Sequence, residues 1–272
     1  MPFTPSHAVV ALPFVRTPLI PAAIAVGAMT PDLPLFIRTG LPLYGITHSA
    51  WALPATVAVA LVLLLVWRCV LRPAAGELSP RWIAARLPDD WSTVPRGSLR
   101  ATFADHRGRI TGSSWAILLV SLLIGVVSHI VWDLFTHEGR WGVALFPALA
   151  DAWGPMLGYK WLQHGSSVVG LLILGVWATV WLGRRPARPV GRMLPSAVRR
   201  VWWLSLPVVL VAAWAVGLAT YGPLTPEWTI QHLAYRVLPV AVGGWGAATL
   251  VLAAVVTLMS SRPAGSRGST TG

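Results

Sequence analysis

Charge is what this sequence has least of. Only 11% of its 272 residues are Asp, Glu, Lys or Arg, against about 25% in an ordinary soluble domain. Together with 55% hydrophobic residues, that shortage excludes a water-soluble enzyme of ordinary composition. Lysine is nearly absent: of 21 cationic residues only Lys160 is not arginine. Acidic residues number nine, too few to neutralise the arginines. The one cysteine, Cys69, lies inside an apolar run, which rules out an internal disulfide and any paired-thiol motif. No phosphate-binding glycine loop, nucleophile elbow or HExxH helix is present. The net charge of +12 raises nucleic acid as a partner. No aromatic-plus-basic groove accompanies it, so no nucleic-acid partner is expected. The arginines are better read as loop residues facing anionic lipid headgroups.

What the chain does have is apolar length. Hydrophobic stretches occupy 8–29 (broken), 50–71, 114–136, 165–183, 201–221 and 237–259. The last five are each about as long as the 20 residues a helix needs to cross a bilayer. They are continuous rather than alternating, which argues helix over barrel strand. The expected fold class is all-α: a polytopic transmembrane helix bundle with five clear spans plus an N-terminal broken span or re-entrant helical hairpin. Residues 1–260 are read as a single integral membrane domain and 261–272 as a disordered tail rich in Gly, Ser, Thr and Arg.

Arginine sorts the loops. Segments 72–112 and 183–200 and the tail beyond 260 hold fifteen cations, whereas the alternate loops hold four: Arg38, Arg140, Lys160 and Arg236. The positive-inside rule then puts the 72–112 loop, the 183–200 loop and the C-terminus in the cytoplasm. Tryptophans such as Trp51, Trp67, Trp115, Trp181 and Trp228 cluster near the predicted span ends, where indole favours the interface. Residues 80–87 have the composition of a short interfacial helix.

Polar residues in or beside the spans need a reason, since each costs a few kcal/mol at the bilayer centre. His129 and Asp133, in Ser128-His129-Ile130-Val131-Trp132-Asp133-Leu134-Phe135-Thr136-His137, are one turn apart on one helix face, about 6 Å in rise. Both can reach one cation, or they can form a buried hydrogen bond between helices. His137, a turn further out, suits a substrate contact or a second metal. Residues 8–15 and 19–29 are each only half a bilayer long and are separated by Arg16, Thr17 and Pro18. As a hairpin they return Asp32 to the level of His7; as one kinked span they put these residues on opposite sides. His48 precedes a span, an inexpensive place for a capping or interfacial histidine, and taken alone it reads as one. Gln163-His164-Gly165-Ser166-Ser167 reads as a helix start with serines able to cap it. His106 and His232 read as ordinary surface residues.

The segments Met1-Pro2-Phe3-Thr4-Pro5-Ser6-His7-Ala8, Gly27-Ala28-Met29-Thr30-Pro31-Asp32, Thr47-His48-Ser49 and the His129–His137 run together resemble a bacterial membrane family of unknown function. Its members begin MPFTPSHA and carry SHxxWDxFTH. The order of motifs is more distantly similar to inner-membrane proteins described as metal-dependent hydrolases, themselves reminiscent of zinc-dependent phospholipase C. The resemblance implies a bacterial inner-membrane location and a divalent metal ion, zinc among the candidates. It also implies His7, Asp32, His48, His129 and Asp133 as the metal-binding cluster; His137, by its place one turn beyond the pair, is the candidate catalytic residue. The distant group carries PDxD and HRGxTHS; here Leu33-Pro34 follows Asp32 and Tyr44-Gly45-Ile46 precedes Thr47, so one Asp and one His are missing. The functional expectation is a metal-dependent hydrolase at the extracytoplasmic headgroup level, acting on a lipid or phosphoester. Membrane lipids are the expected partners. The alternative is a transporter or assembly factor in which the His/Asp cluster is a polar clamp or proton relay.

Overall fold

The computed structural model describes residues 3–37, 43–92 and 95–260. The tail at 261–272 and Arg38 lie outside the described residues. The chain opens with a 3-10 helix, Thr4–Phe14, held by Pro5 and Pro13. It turns at Arg16–Pro18 and returns as α1, Pro21–Met29, with Pro21 in the first helical turn, where its missing N–H costs nothing. The two arms pack against each other, so the hairpin, not the kinked single span, is the arrangement adopted.

Among the described residues five helices are long and apolar enough to cross a membrane: α2 Ala50–Leu78, α3 Gly112–Thr136, α4 Gly158–Gly183, α5 Ser196–Tyr221 and α6 Ile230–Ser260. The apolar residues of α4 and α5, among them Leu172, Val176, Val208 and Val211, are exposed. Helices that leave such surface uncovered are those of a multi-pass membrane protein, whose outer face meets hydrocarbon. Among the described residues the only strands are Ala152–Trp153 and Met156–Leu157, a small antiparallel hairpin in register Ala152↔Leu157 and turned at Gly154, whose φ is +71°.

The helices exceed the apolar runs. Helix α2 does not stop at 71 but passes through a π turn, Trp67–Leu71, and resumes over Arg72–Leu78. Helix α4 begins at Gly158, seven residues before the run at 165. An apolar run measures the hydrocarbon-facing part of a helix; polar turns extend it wherever they find partners. That corrects the expected helix start at 163–167. Ser166 and Ser167 lie inside α4 and bond back to the Gln163 carbonyl at 3.3 and 2.9 Å, while their oxygens accept from Trp132 Nε1 and Phe3 N. Of the interfacial helix expected at 80–87 only one turn, Arg81–Ala84, forms.

Helix α3 is the centre of the bundle. Its start carries a reciprocal cap, in which Thr111 Oγ1 accepts from Ser114 N and Ser114 Oγ accepts from Thr111 N, satisfying two otherwise unbonded donors. Helix α1 lies against α3 with Gly27 and Gly125 at the crossing. A Cβ on Gly27 would overlap the Leu122 carbonyl oxygen, and one on Gly125 the Ile24 carbonyl oxygen. Ala23, Ala60, Leu64, Leu118, Leu122 and Val126 fill the space between α1, α2 and α3. The 3-10 arm meets α4 at Gly170, where a Cβ would stand 3.1 Å from the Ser6 carbonyl oxygen. Helices α5 and α6 are joined by the stacked Trp202 and Trp245, with centroids 5.4 Å apart.

Both Arg-rich loops and the end of α6 meet at one end of the bundle. Glu77, buried, accepts from Met193 N and Leu194 N at 3.0 Å each and from Arg199 Nη1 at 3.1 Å. Arg188 pairs with Asp89, and Ser260 reaches Met193. The hairpin tip stops short of this end. Ile20 N donates to Ser121 Oγ at 3.0 Å, nine residues and so about 14 Å along α3 from Gly112. Arg16 is exposed there, and a long side chain at that depth can extend toward the nearer headgroup layer.

Candidate metal centre

At the opposite, Arg-poor end three separate pieces of chain deliver four side chains of metal-ligating type. The hairpin's return ends at Thr30-Pro31-Asp32, a 3-10 turn that presents Asp32. The short helix Leu43–Thr47 ends in His48, anchored by Thr47 Oγ1 donating to the Pro31 carbonyl at 2.7 Å. Helix α3 contributes His129 and Asp133 one turn apart. All four are buried, and one ligand atom from each lies within 4.8 Å of the other three.

The spacing is that of a coordination shell. His48 Nε2 and His129 Nε2 are 3.2 Å apart. Asp133 Oδ2 is 3.4 Å from the first and 3.5 Å from the second; Asp32 Oδ1 is 3.8 and 3.6 Å from them. Ligands about 2.0–2.1 Å from a tetrahedral ion are separated by about 3.3–3.4 Å, so the group can hold a metal ion with little rearrangement.

The other ring nitrogens strengthen this. His48 Nδ1–H donates to the Tyr44 carbonyl at 2.8 Å and His129 Nδ1–H to the Ala28 carbonyl at 2.7 Å. A carbonyl only accepts, so in each neutral ring the proton sits on Nδ1 and Nε2 presents a lone pair. With both rings neutral, two lone pairs and two carboxylate oxygens converge with no hydrogen between them. An imidazole N–H bonded to a backbone carbonyl behind the ring is how proteins orient metal-ligating histidine. Asp32 is held similarly: Thr4 Oγ1 donates to its Oδ2 at 2.7 Å, leaving Oδ1, which is buried without a hydrogen-bond partner, facing the histidines.

His7 and His137 flank the four. The His7 ring stacks on His129 with centroids 4.0 Å apart and a 31° tilt, beside the tight group rather than in it. Its Nε2 is buried and unpartnered, as is Asp133 Oδ1. His137 caps the end of α3, half-buried, with Nδ1 donating to the Asp133 carbonyl at 3.2 Å and lying 3.6 Å from Asp133 Oδ2. Its Nε2 accepts from Gln163 Nε2 at 3.4 Å, and Gln163 Oε1 accepts from Lys160 Nζ at 3.4 Å. The polar side chains thus run from the cluster through His137 and Gln163 to the one lysine. His164 lines an open pocket with Lys160, His232 and Arg236 and is no part of the four-residue group, nor is His106.

Thr4, Tyr44 and Gln163 were not singled out by sequence reasoning. Tyr44 has a signal in retrospect: it lies four residues before His48 in a helical turn, where its carbonyl faces the His48 ring. Thr4 and Gln163 have none, since their partners are 28 and 26 residues away.

Residues 1–259 match the family described as a domain of unknown function, DUF4184, and the chain belongs to it. No curated protein and no solved structure matches the chain.

Proposed function

We propose that this chain is a membrane-embedded metal-dependent hydrolase that acts near the extracytoplasmic headgroup level on an ester or phosphoester. The observation that carries the reading is the convergence of the His48 and His129 Nε2 lone pairs with Asp32 Oδ1 and Asp133 Oδ2. In a buried site that arrangement, with both rings neutral, is repulsive unless a cation occupies its centre. Mixed nitrogen and oxygen donors suit zinc or another first-row divalent ion. Such an ion lowers the pKa of a bound water and polarises the oxygen of an ester or phosphoester.

In this reading Asp32, His48, His129 and Asp133 are the ligands. His7, expected among them, is assigned instead the acceptance of a proton at its free Nε2. His137 contacts the substrate, oriented through its Nδ1 by the α3 carbonyl. Extracytoplasmic placement follows from the arginine distribution: the cluster lies at the end opposite the Arg-rich loops.

A second reading has its own support. Four protein ligands close a tetrahedron, the mark of a structural rather than a catalytic ion. A clamp of this kind would join the hairpin, the Leu43–Thr47 turn and α3 in a transporter or assembly factor. The unpartnered His7 Nε2 and Asp133 Oδ1 favour catalysis, because a clamp needs neither. The test is turnover of a panel of phosphodiester and carboxylic ester lipids by purified protein. Chelation should abolish it and the added ion restore it. Asp133→Asn should lose both metal and turnover, whereas His137→Ala should lower turnover at least ten-fold with metal retained. Bound metal without turnover of any member, and a His137→Ala protein altered only in stability, would establish the clamp.

A further inference from the structure

A second concentration of polar side chains at the Arg-poor end lies apart from the metal centre. A pocket of about 580 Å³ opens between the first turns of α4, the loop before α6 and the first turns of α6. Its walls include Lys160, His164, Trp228, His232 and Arg236, and among the described residues no Asp or Glu lines it. Two of the four cations of the Arg-poor loops therefore border one space. Neither meets a carboxylate among the described residues. Lys160 Nζ donates to Gln163 Oε1 at 3.4 Å, and Arg236 lies over the Tyr221 ring, 4.5 Å from its centroid. Two cations brought together without a counter-charge repel each other, and an anion between them removes the repulsion.

The remaining wall adds donors. His232 Nδ1 accepts from Thr229 N at 3.2 Å, which closes the start of α6 and, in the neutral ring, leaves the proton on Nε2. The Trp228 ring is stacked on His232 with centroids 5.8 Å apart, and its Nε1 is buried without a hydrogen-bond partner. A buried donor left unused costs about 1–3 kcal/mol, so this wall favours a ligand that brings acceptors. Depth narrows the class. Lys160 and His164 precede the apolar run 165–183, and His232 and Arg236 precede the run 237–259. The pocket thus sits where both helices leave the hydrocarbon, the level of lipid headgroups. A terminal phosphate carries three strong acceptor oxygens, which suits donors arriving from two helices and a loop. A carboxylate has only two, in one plane.

We infer that this pocket is a second ligand site, which holds a terminal phosphate group between Lys160 and Arg236 without hydrolysing it. None of Asp32, His48, His129 and Asp133 lines it, so the pocket can be filled whatever the cluster holds. The headgroup of a phosphatidic acid and free inorganic phosphate offer the same chemistry, and experiment separates them.

Lys160 is the one lysine of the chain, so it reports on the pocket by itself. The full chain in uncharged maltoside micelles is treated with an amine-reactive ester, and acylation of the peptide containing Lys160 is followed by mass spectrometry. One arm adds inorganic phosphate at fixed ionic strength. The other adds phosphatidic acid to the micelle, against diacylglycerol with the same chains. Acylation of Lys160 should slow at least five-fold in one arm or both. Slowing by phosphatidic acid alone makes the ligand a lipid headgroup, and slowing by inorganic phosphate shows that the free ion suffices. Arg236→Gln should raise the concentration needed for half-protection about ten-fold, as loss of a charge-assisted bond does. Trp228→Phe keeps the ring and removes the donor, and should raise it about three-fold. No slowing of folded native protein in either arm, or protection unchanged in folded Arg236→Gln, overturns the assignment. So does protection that disappears on chelation, which would put the phosphate on a metal ion instead of in the pocket.

Discussion

Thr4 shows how a residue outside the cluster orients one of its members. Its hydroxyl donates to Asp32 Oδ2 at 2.7 Å, which turns Oδ1 toward His48 and His129. Partners of this kind are worth about 10–100-fold in metal affinity. Thr4→Val keeps the β-branched shape and removes the donor, so metal affinity measured by competition with a chromogenic chelator should fall in that range while the melting temperature changes little. An unchanged affinity would mean that Asp32 is oriented by something else. The same scale separates what the sequence announces from what it conceals. His129 and Asp133 are legible because helical periodicity alone puts them on one face. Asp32 and His48 become candidates through their motifs, but their approach to within 4 Å of His129 depends on a chain reversal that local sequence does not specify. The tautomers depend on carbonyls at Tyr44 and Ala28, and backbone atoms carry no side-chain signature.

Among the elements, the hairpin brings Asp32 to the site, and its position rests on glycine. Helices α1 and α3 approach so closely at Gly27 and Gly125 that a side chain on either would occupy the partner's backbone, the close crossing that small residues permit between membrane helices. Gly125→Ala should push α1 outward. Because Gly125 is one turn below His129, both the melting temperature and metal retention should fall, with a loss of about 1–3 kcal/mol as for overpacking elsewhere. Retained metal with unchanged unfolding would show that the helices separate freely. The half-length apolar runs 8–15 and 19–29, interrupted by Arg16 and Pro18, allow both a hairpin and a kinked span, because composition fixes length but not direction. Contact between the two arms and the Ile20–Ser121 bond select the hairpin. Span ends differ for a related reason: Tyr159, Lys160 and Gln163 look like loop residues by hydropathy, yet they form the first turns of α4, where Tyr159 bonds Glu138, Gln163 bonds His137 and Lys160 bonds Gln163.

For the whole molecule the two ends of the bundle differ in what they gather. The Arg-rich end is a lock of loops around Glu77, to which residues 193, 194 and 199 all bond; nothing in the sequence marks this glutamate above the other acids, because its partners lie more than a hundred residues away. The Arg-poor end gathers the histidines and aspartates. Charge asymmetry predicts that the first faces the cytoplasm. In a Cys69→Ser background, His106→Cys should resist a membrane-impermeant maleimide in intact cells, whereas Asp151→Cys and Glu227→Cys should react; the reverse pattern inverts the topology and moves the cluster to the cytoplasmic side. Whether the hairpin, the Leu43–Thr47 turn and α3 meet around a metal ion is decided by elemental analysis of protein purified without chelators. About one divalent ion per chain is expected in the native protein and at most about a tenth of that in Asp133→Asn, since a ligand set of this kind binds only as a unit. Native protein that is folded and yet carries no more metal than the Asp133→Asn variant would contradict this expectation.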